Sequence, residues 1–297
     1  MAVDRLHSLV ATGQFLAAYR EVERLAMDPD LDPAFKAKVF ILGVRAAAGL
    51  REIYAGVKMA EKAIEAAELG TDWDDIGNAR LHSALIYREV GDTAQALRFF
   101  QLFFMHLDRY PTLQTKTAHA YYNQGLTHQQ RREHEQALES YRLAAEDFAR
   151  IGHRAGVLAS LQNSAWVMLM QSRPAEAEPF IAQAEALSSE LEIPEYQVTQ
   201  LAVVALYERL MQRPERTMAL CEEIFQSGRQ GATDRHRAEA AWMMAELSLE
   251  ARRLHEAGIF ADWAVTHALE AKDPHLMNLA CDIRQRVRRK QSELQLG

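Results

Sequence analysis

The sequence predicts an all-α protein built as a linear array of helix pairs. Three observations carry that expectation. Apolar residues recur at helical spacing along nearly the whole chain. No segment shows the two-residue alternation and composition of a strand. Short stretches of punctuation return at a period of about 40 residues, and such self-similarity marks repeat architectures.

The punctuation opens each second helix. It runs Gly13-Gln14-Phe15-Leu16-Ala17-Ala18, Gly91-Asp92-Thr93-Ala94-Gln95-Ala96 and Arg132-Glu133-His134-Glu135-Gln136-Ala137. It continues as Arg173-Pro174-Ala175-Glu176-Ala177, Arg213-Pro214-Glu215-Arg216-Thr217 and Arg253-Leu254-His255-Glu256-Ala257. With the weaker Ala55 added, the closing positions are 18, 55, 96, 137, 177, 217 and 257, spaced by 37 to 41 residues. Before the punctuation lies one helical stripe, as in Leu81, Ala84, Leu85 and Tyr87. After it lies another, as in Ala96, Leu97, Phe100 and Phe103.

Small residues mark where the two helices of a pair approach. Ala18, Ala96, Ala137, Ala177 and Ala257 take that place in the second helices. Gly43, Ala84, Gly125, Ala165, Ala205 and Ala245 take it in the first. Prolines 29, 33, 111, 174, 194, 214 and 274 fall at helix junctions, where a missing N–H costs least, and Pro179 falls within the first turns of its helix. The expected pairs cover 2–27, 33–68, 73–109, 112–150, 153–189, 194–227 and 232–271. A capping helix follows at 274–293, all in one array over 1–297. Asp72, Asp74 and Asp75 cluster at a helix start, where acids cap and complement the helix dipole.

Composition narrows the function. The chain has 297 residues with 34 Lys+Arg against 41 Asp+Glu, a formal charge of -7, which argues against direct binding of nucleic acid. Two cysteines cannot build a disulfide framework and fit a reducing, cytoplasmic setting. The apolar runs fall short of the roughly 20 residues of a membrane span, and Asp4 interrupts what would be the basic start of a signal peptide.

The units resemble tetratricopeptide repeats. Tyr121-Tyr122-Asn123-Gln124-Gly125 with Ala137, Tyr141 and Ala144 carries the resemblance, as do Ala84, Tyr87, Gly91-Asp92, Ala96 and Phe100 one unit earlier. The period exceeds the family's usual 34 residues. In that it is similar to the longer repeats of bacterial signalling regulators, including peptide-pheromone receptors, and of some animal polarity scaffolds. The resemblance implies a right-handed α-α superhelix of about seven pairs plus the capping helix, with the first helix of each pair lining a concave groove. On that reading the groove residues are Phe40, His82, Leu85 and Arg88, then His119, Tyr122, Asn123, Leu126 and Gln130, then Gln162, Asn163 and Trp166, and finally Arg209 and Trp242. Amides that donate and accept at once suit a peptide backbone, and aromatics supply anchors. Asn123 also has a local role in such repeats, and Tyr122 and Trp166 can pack between helices.

Chemistry-bearing motifs are missing. His134-Glu135 and His255-Glu256 lack a second histidine four residues on, and His119 and His128 sit nine apart on different faces of one helix. Cys221 and Cys281 lie in helices among apolar neighbours, and Gly152 and Gly156 lack the lysine and hydroxyl of a phosphate loop. We therefore expect no enzyme, no metal and no cofactor. The expected function is an adaptor or regulator that binds a peptide or partner segment in the groove. Because the chain opens on what reads as a repeat, we expect no DNA-binding domain of the usual size within it. The alternative is a self-associating scaffold using its end helices or convex face, with Phe99, Phe104, Phe260 and Trp263 as surplus aromatic area. Arg284, Arg286, Arg288, Arg289 and Lys290 load the last helix, where they complement its dipole and cap the array, or meet an acidic partner.

Overall fold

A computed structural model describes residues 2–28, 30–110, 112–226 and 231–295. Pro29 and Pro111, placed at junctions from sequence, lie outside the described residues, as does position 227 at the end of the sixth expected pair. The fold is an all-α solenoid. Helices α1 (Ala2–Ala11) and α2 (Phe15–Ala26) form the first pair, α3 (Pro33–Leu50) and α4 (Ile53–Gly70) the second, α5 (Trp73–Val90) and α6 (Thr93–Met105) the third. Then come α7 (Thr117–Gln130) with α8 (His134–Arg150), α9 (Arg154–Met170) with α10 (Pro174–Leu191), and α11 (Pro194–Leu210) with α12 (Pro214–Phe225). The last pair is α13 (Asp234–Glu250) with α14 (Leu254–Ala271), followed by α15 (Pro274–Gln295). Packing divides the chain into two compact units, 1–147 and 148–297.

The turn inside each pair has one geometry. Gly13, Arg51, Gly91, Arg132, Ser172, Gln212 and Arg252 all take positive φ, between 58° and 84°. In the fifth pair Ser172 N–H donates to Leu169 O (2.9 Å) and Arg173 N–H to Met168 O (3.0 Å), and the 132, 212 and 252 turns repeat this. Such crossed bonds satisfy the last carbonyls of the first helix and reverse the chain within three residues. Only two of these seven positions, Gly13 and Gly91, are glycine. At the others an L-residue bears a left-handed cost of roughly 1–2 kcal/mol, offset by the two bonds it permits. Five helices (α3, α10, α11, α12, α15) begin on proline, whose missing N–H would be an orphan there anyway. Pro179 is accommodated inside α10.

Small residues set the distance between the helices of a pair. Ala18, Ala96, Ala137, Ala177 and Ala257 are wholly buried, as are Ala84, Ala165, Ala205 and Ala245 opposite them. The sixth pair uses Thr217, also buried, whose hydroxyl donates back to Arg213 O at 3.0 Å. In the second pair the buried small residue is Gly56 and not Ala55, because α4 starts at Ile53 and the contact falls three residues later. At Gly125 a Cβ would stand 2.6 Å from Tyr141 Cε1. That ring is fully buried and its hydroxyl donates to Gln129 Oε1 at 2.7 Å, so it has little freedom to move aside.

The link from α6 to α7 is longer than the others and is bound down. It contains two 3-10 turns, Leu107–Arg109 and Gln114–Lys116. Buried Tyr110 accepts from Arg80 Nη1 (2.9 Å), which also donates to Leu102 O (3.2 Å). Arg109 lies over the Trp73 ring at 4.7 Å, and Thr112 Oγ1 donates to Asp74 Oδ2 at 2.8 Å. The acids placed at this helix start therefore divide their work. Asp72 caps α5 by accepting from Asp74 N and Asp75 N, Asp74 anchors the link, and Asp75 faces Lys38 at 3.6 Å. One result is that Lys116 is held beside α5, its Nζ donating to Asn78 Oδ1 at 2.6 Å.

In the 148–297 unit, buried His236 joins two helices. Its Nδ1 accepts from Thr233 N (3.2 Å) in a capping box at the start of α13. Nε2 then carries the proton and faces Thr199 Oγ1 at 3.0 Å. Burial, and then Arg235 and Arg237, push the imidazole down to about 4.

Two outcomes follow from these contacts. Gly125→Ala destabilises the protein by about 1–3 kcal/mol in chemical denaturation through overpacking against Tyr141, although alanine is the better helix former by about 1 kcal/mol. A stabilised variant would contradict the close approach. Stability contributed by His236 is complete above its unfolded value of 6.5 and is lost as pH falls toward about 4, because only the unfolded chain then binds the proton freely. Between pH 6.5 and 4, His236→Gln should lose stability less steeply than wild type, and equal slopes would refute the assignment.

Candidate functional site

First helices pack between neighbours on both sides, so most of their surface is core. In the 1–147 unit one stretch of their inner face stays open. A groove of about 480 Å³ is lined by Val10 of α1, Phe15 of α2, Val44, Arg45 and Ala48 of α3, and Asn123 of α7. His82, Leu85, Ile86, Arg88 and Glu89 of α5 complete it. That volume lies in the range of ligand-binding clefts. Four residues expected from sequence meet here: His82, Leu85, Arg88 and Asn123.

Apolar and polar residues both line the groove. Val10, Phe15, Val44, Ala48, Leu85 and Ile86 are the apolar ones. Among the polar ones, Arg88 Nη2 donates to Glu89 Oε1 at 2.8 Å, while the buried Arg88 Nε has no hydrogen-bond partner. Half-buried His82 is pushed down to about 3, first by desolvation and then by Lys116 and Arg45, so it stays neutral. Lys116 is lowered too, by burial first and then by Arg45, against a weaker opposing pull from Asp74. Asn123 Nδ2 donates to His119 O at 2.8 Å, and Asn163 Nδ2 repeats this to Ala159 O at 2.8 Å. Both amides are thus oriented by their own helices.

The other expected residues of this unit lie elsewhere. Phe40 is buried in the core, with Lys62 Nζ 5.6 Å from its ring centre. His119 and Gln130 are exposed on α7, whereas Tyr122 and Leu126 are half-buried. The Tyr122 ring sits 5.8 Å from that of Tyr141. Arg45, Val10, Phe15 and Glu89 line the groove without having been singled out. Arg45 could have been found as the neighbour of inward-facing Val44. The other three could have been found by extending the register to the first pair and the end of α5.

In the 148–297 unit the expected residues belong to closed networks. Gln162, 1% exposed, donates to Tyr196 O (2.8 Å) and Gln200 Oε1 (3.2 Å), and Gln200 donates to Ile181 O (3.1 Å). This amide chain ties α9, α10 and α11 together. Trp166 and Trp242 are buried, and Asn163 is half-buried. Arg209 lies 5.6 Å from the Trp242 ring centre and reaches Glu250 at 3.2 Å and Glu246 at 3.5 Å. Arg286 meets the buried Glu246 carboxylate with both terminal nitrogens, at 2.6 and 3.1 Å. One residue of the basic C-terminal cluster is therefore spent holding α15 to α13. Arg289 and Lys290 pair with Glu293, while Arg284 and Arg288 line a cleft of about 260 Å³ with His255 and Asp262.

Burial pushes the Cys221 thiol up to about 12, so it sits in the core as an unreactive thiol. Among the described residues no three His, Cys, Asp or Glu side chains are grouped to hold a metal ion, and no helix is long and apolar enough to cross a membrane. The aromatic area of Phe99 and Phe104 is used internally: Phe99 stacks on Tyr87 (5.5 Å) and Phe104 on Tyr121 (4.2 Å).

Residues 116–190 match the family model of the tetratricopeptide repeat. No curated protein matches the chain in sequence. Among solved structures, the chain is similar to a tetratricopeptide repeat protein from Parabacteroides merdae, with TM-score 0.64 and 16% identity over 94% of this chain and 97% of that one. It is also similar to a Rap protein complexed with competence and sporulation factor, with TM-score 0.68 and 9% identity over 97% and 86%. A third similar structure is the apo form of RapI, with TM-score 0.66 and 14% identity over 90% and 99%. At these identities the likeness is one of fold. Residues 116–190 thus match the tetratricopeptide repeat, and the chain as a whole has the all-α solenoid fold of solved tetratricopeptide-repeat structures.

Proposed function

We propose that this chain is a non-catalytic binding module, an adaptor or regulator that takes a peptide or partner segment in the groove of its 1–147 unit. The observation that carries the reading is the open groove of about 480 Å³, contributed by four successive helix pairs and lined by apolar and polar residues together. Helix-pair arrays offer an extended inner surface of this kind. A Rap protein of the same fold has been seen complexed with competence and sporulation factor, which is compatible with a ligand held by such an array. Two unpaired cysteines support a cytoplasmic setting as part of the same proposal. Ligand contact across several pairs would favour one relative arrangement of neighbouring helices over others, giving a regulator its response.

Self-association is the second reading, and Trp263 (43% exposed) and Ile259 (40%) on α14 are the observation in its favour. Exposed single apolar residues are common on monomers, which leaves it behind the groove. A mass that rises with concentration in sedimentation would move it ahead.

Leu85→Arg tests the groove directly, because Leu85 is half-buried and lines it. Peptides selected by wild type from a displayed random library should bind the variant at least about tenfold more weakly, as expected when a charge replaces an apolar contact. Circular dichroism should be unchanged. Equal binding by the two proteins would place the ligand site off this face.

A further inference from the structure

In the 148–297 unit each first helix seats its own second helix on one face, and on α15 that face is uncovered. α11, α13 and α15 start at Pro194, Asp234 and Pro274, which puts them in one register at steps of 40 residues. Ala245 of α13 meets α14, and Ala241 and Ser248 stand a turn to either side of it on the same helix face. All three are wholly buried. At the same places α15 holds Cys281, Gln285 and Arg288, and all three are exposed. Among the described residues no helix follows α15 to cover them. The sixth pair shows how such a face handles a charge. Glu208 of α11, in register with Arg288, is buried and is met at 3.0 Å by both Arg213 and Arg216 from the start of α12, the helix it seats. In α15 the sign is reversed and the answering charge is missing. Arg286 is taken up by Glu246 and Asp282, and Arg289 and Lys290 by Glu293. Arg284 and Arg288, one turn apart, form no ion pair among the described residues, although they share the cleft of about 260 Å³ with Asp262 and Ile259 of α14.

We propose that α15 is the first half of an unfinished pair, completed in a complex by an amphipathic helix of another protein whose first turn carries acidic side chains. Those carboxylates face Arg288 and Arg284, as Arg213 and Arg216 face Glu208 in the sixth pair. Small and aliphatic side chains of the incoming helix lie against Cys281 and Ile259, the latter 40% exposed. Laying an amphipathic helix on an open helical face is a common mode of recognition. Acids in its first turn also complement the dipole of the incoming helix itself. Asp262, on the α14 wall of the cleft, repels those acids and so directs them to the α15 side. Two arginines beside a carboxylate offer no run of cations for a nucleic-acid strand. A carboxylate accepting charge-assisted hydrogen bonds from arginine gains roughly twice what a neutral acceptor would. The site shares no residue with the groove of the 1–147 unit and stands independently of it.

The test uses the full chain and three sets of short alanine-based peptides, each cross-linked to hold a helix. The sets share randomised aliphatic positions along one face and differ only in a first-turn pair of glutamate, glutamine or lysine. Wild type should bind the glutamate set at least about tenfold more tightly than the glutamine set, the factor expected of one charge-assisted contact. The double variant Arg284→Glu, Arg288→Glu should turn the preference toward lysine, which a merely misfolded protein would not do. A bulky maleimide on exposed Cys281 should block binding, and the label is selective because Cys221 is buried. Leu85→Arg, in the other unit, should leave binding unchanged. Equal binding of all three sets, a lysine preference in wild type, or binding of none overturns the proposal and leaves the groove reading standing. A glutamate preference that survives the charge reversal or the Cys281 adduct, or is lost in Leu85→Arg, overturns it as well by placing the acids elsewhere. If no set binds and the mass of wild type, but not of the charge-reversed variant, doubles with concentration, the face belongs to a second copy of this chain and the proposal fails.

Discussion

The constraint on which this structure depends is the close approach of the two helices in each pair. Wherever a pair closes, an alanine, glycine or threonine with essentially no exposed surface stands at the contact, at positions 18, 56, 96, 137, 177, 217 and 257. Close approach brings large neighbours such as Phe100, Tyr141 and Ile224 into full burial. It also demands a tight reversal, met by a left-handed residue at 13, 51, 91, 132, 172, 212 and 252. Contact and turn keep nearly the same interval along the chain because each fixes the other. A larger side chain at the contact would force that pair apart, and a residue added at the turn would put its contact out of step with its reversal.

The same packing decides which surface is left for function. A first helix touches its own partner and the neighbouring pairs, so α13 is buried from Ala238 through Ser248 with no interruption. What remains open on such helices is narrow, and its chemistry depends on whether the protein's own charges have already closed it. In the 148–297 unit they have: the Gln162–Gln200 amide chain and the Arg209–Glu246–Arg286 network spend polar groups on joining helices. In the 1–147 unit a groove stays open, lined by apolar residues, the neutral His82 imidazole, Arg45 and the Arg88–Glu89 pair. This difference between two units of one repeat makes the first the place to look for a ligand.

Much of the architecture is legible in the sequence because it rests on local rules. Proline at a first helical position, a small residue at the contact and an apolar stripe at helical spacing all leave one-residue signatures. The left-handed turns are less visible, since only Gly13 and Gly91 of the seven carry the residue that conformation favours, and the crossed hydrogen bonds hold arginine, serine and glutamine at the others. The groove is legible in part. A single register finds His82, Leu85, Arg88 and Asn123, because α5 and α7 each keep one side open. It misplaces weight on Phe40, Gln162, Trp166 and Trp242, because helices buried on several sides carry apolar and aromatic residues all round and no stripe tells inner face from core. Arg45 goes unnoticed because it falls outside the expected register, and only the three-dimensional arrangement puts it on the groove.

The most direct test of the account is site-specific photo-crosslinking in the native cell extract. A photoreactive amino acid would be placed at Leu85 on the open face of α5, and in a second protein at exposed Arg98 on α6. If the open face is the working surface, adducts form from position 85 and not from position 98, and a groove-filling competitor peptide removes them. Adducts from position 98 alone would contradict it and assign binding to the second helices.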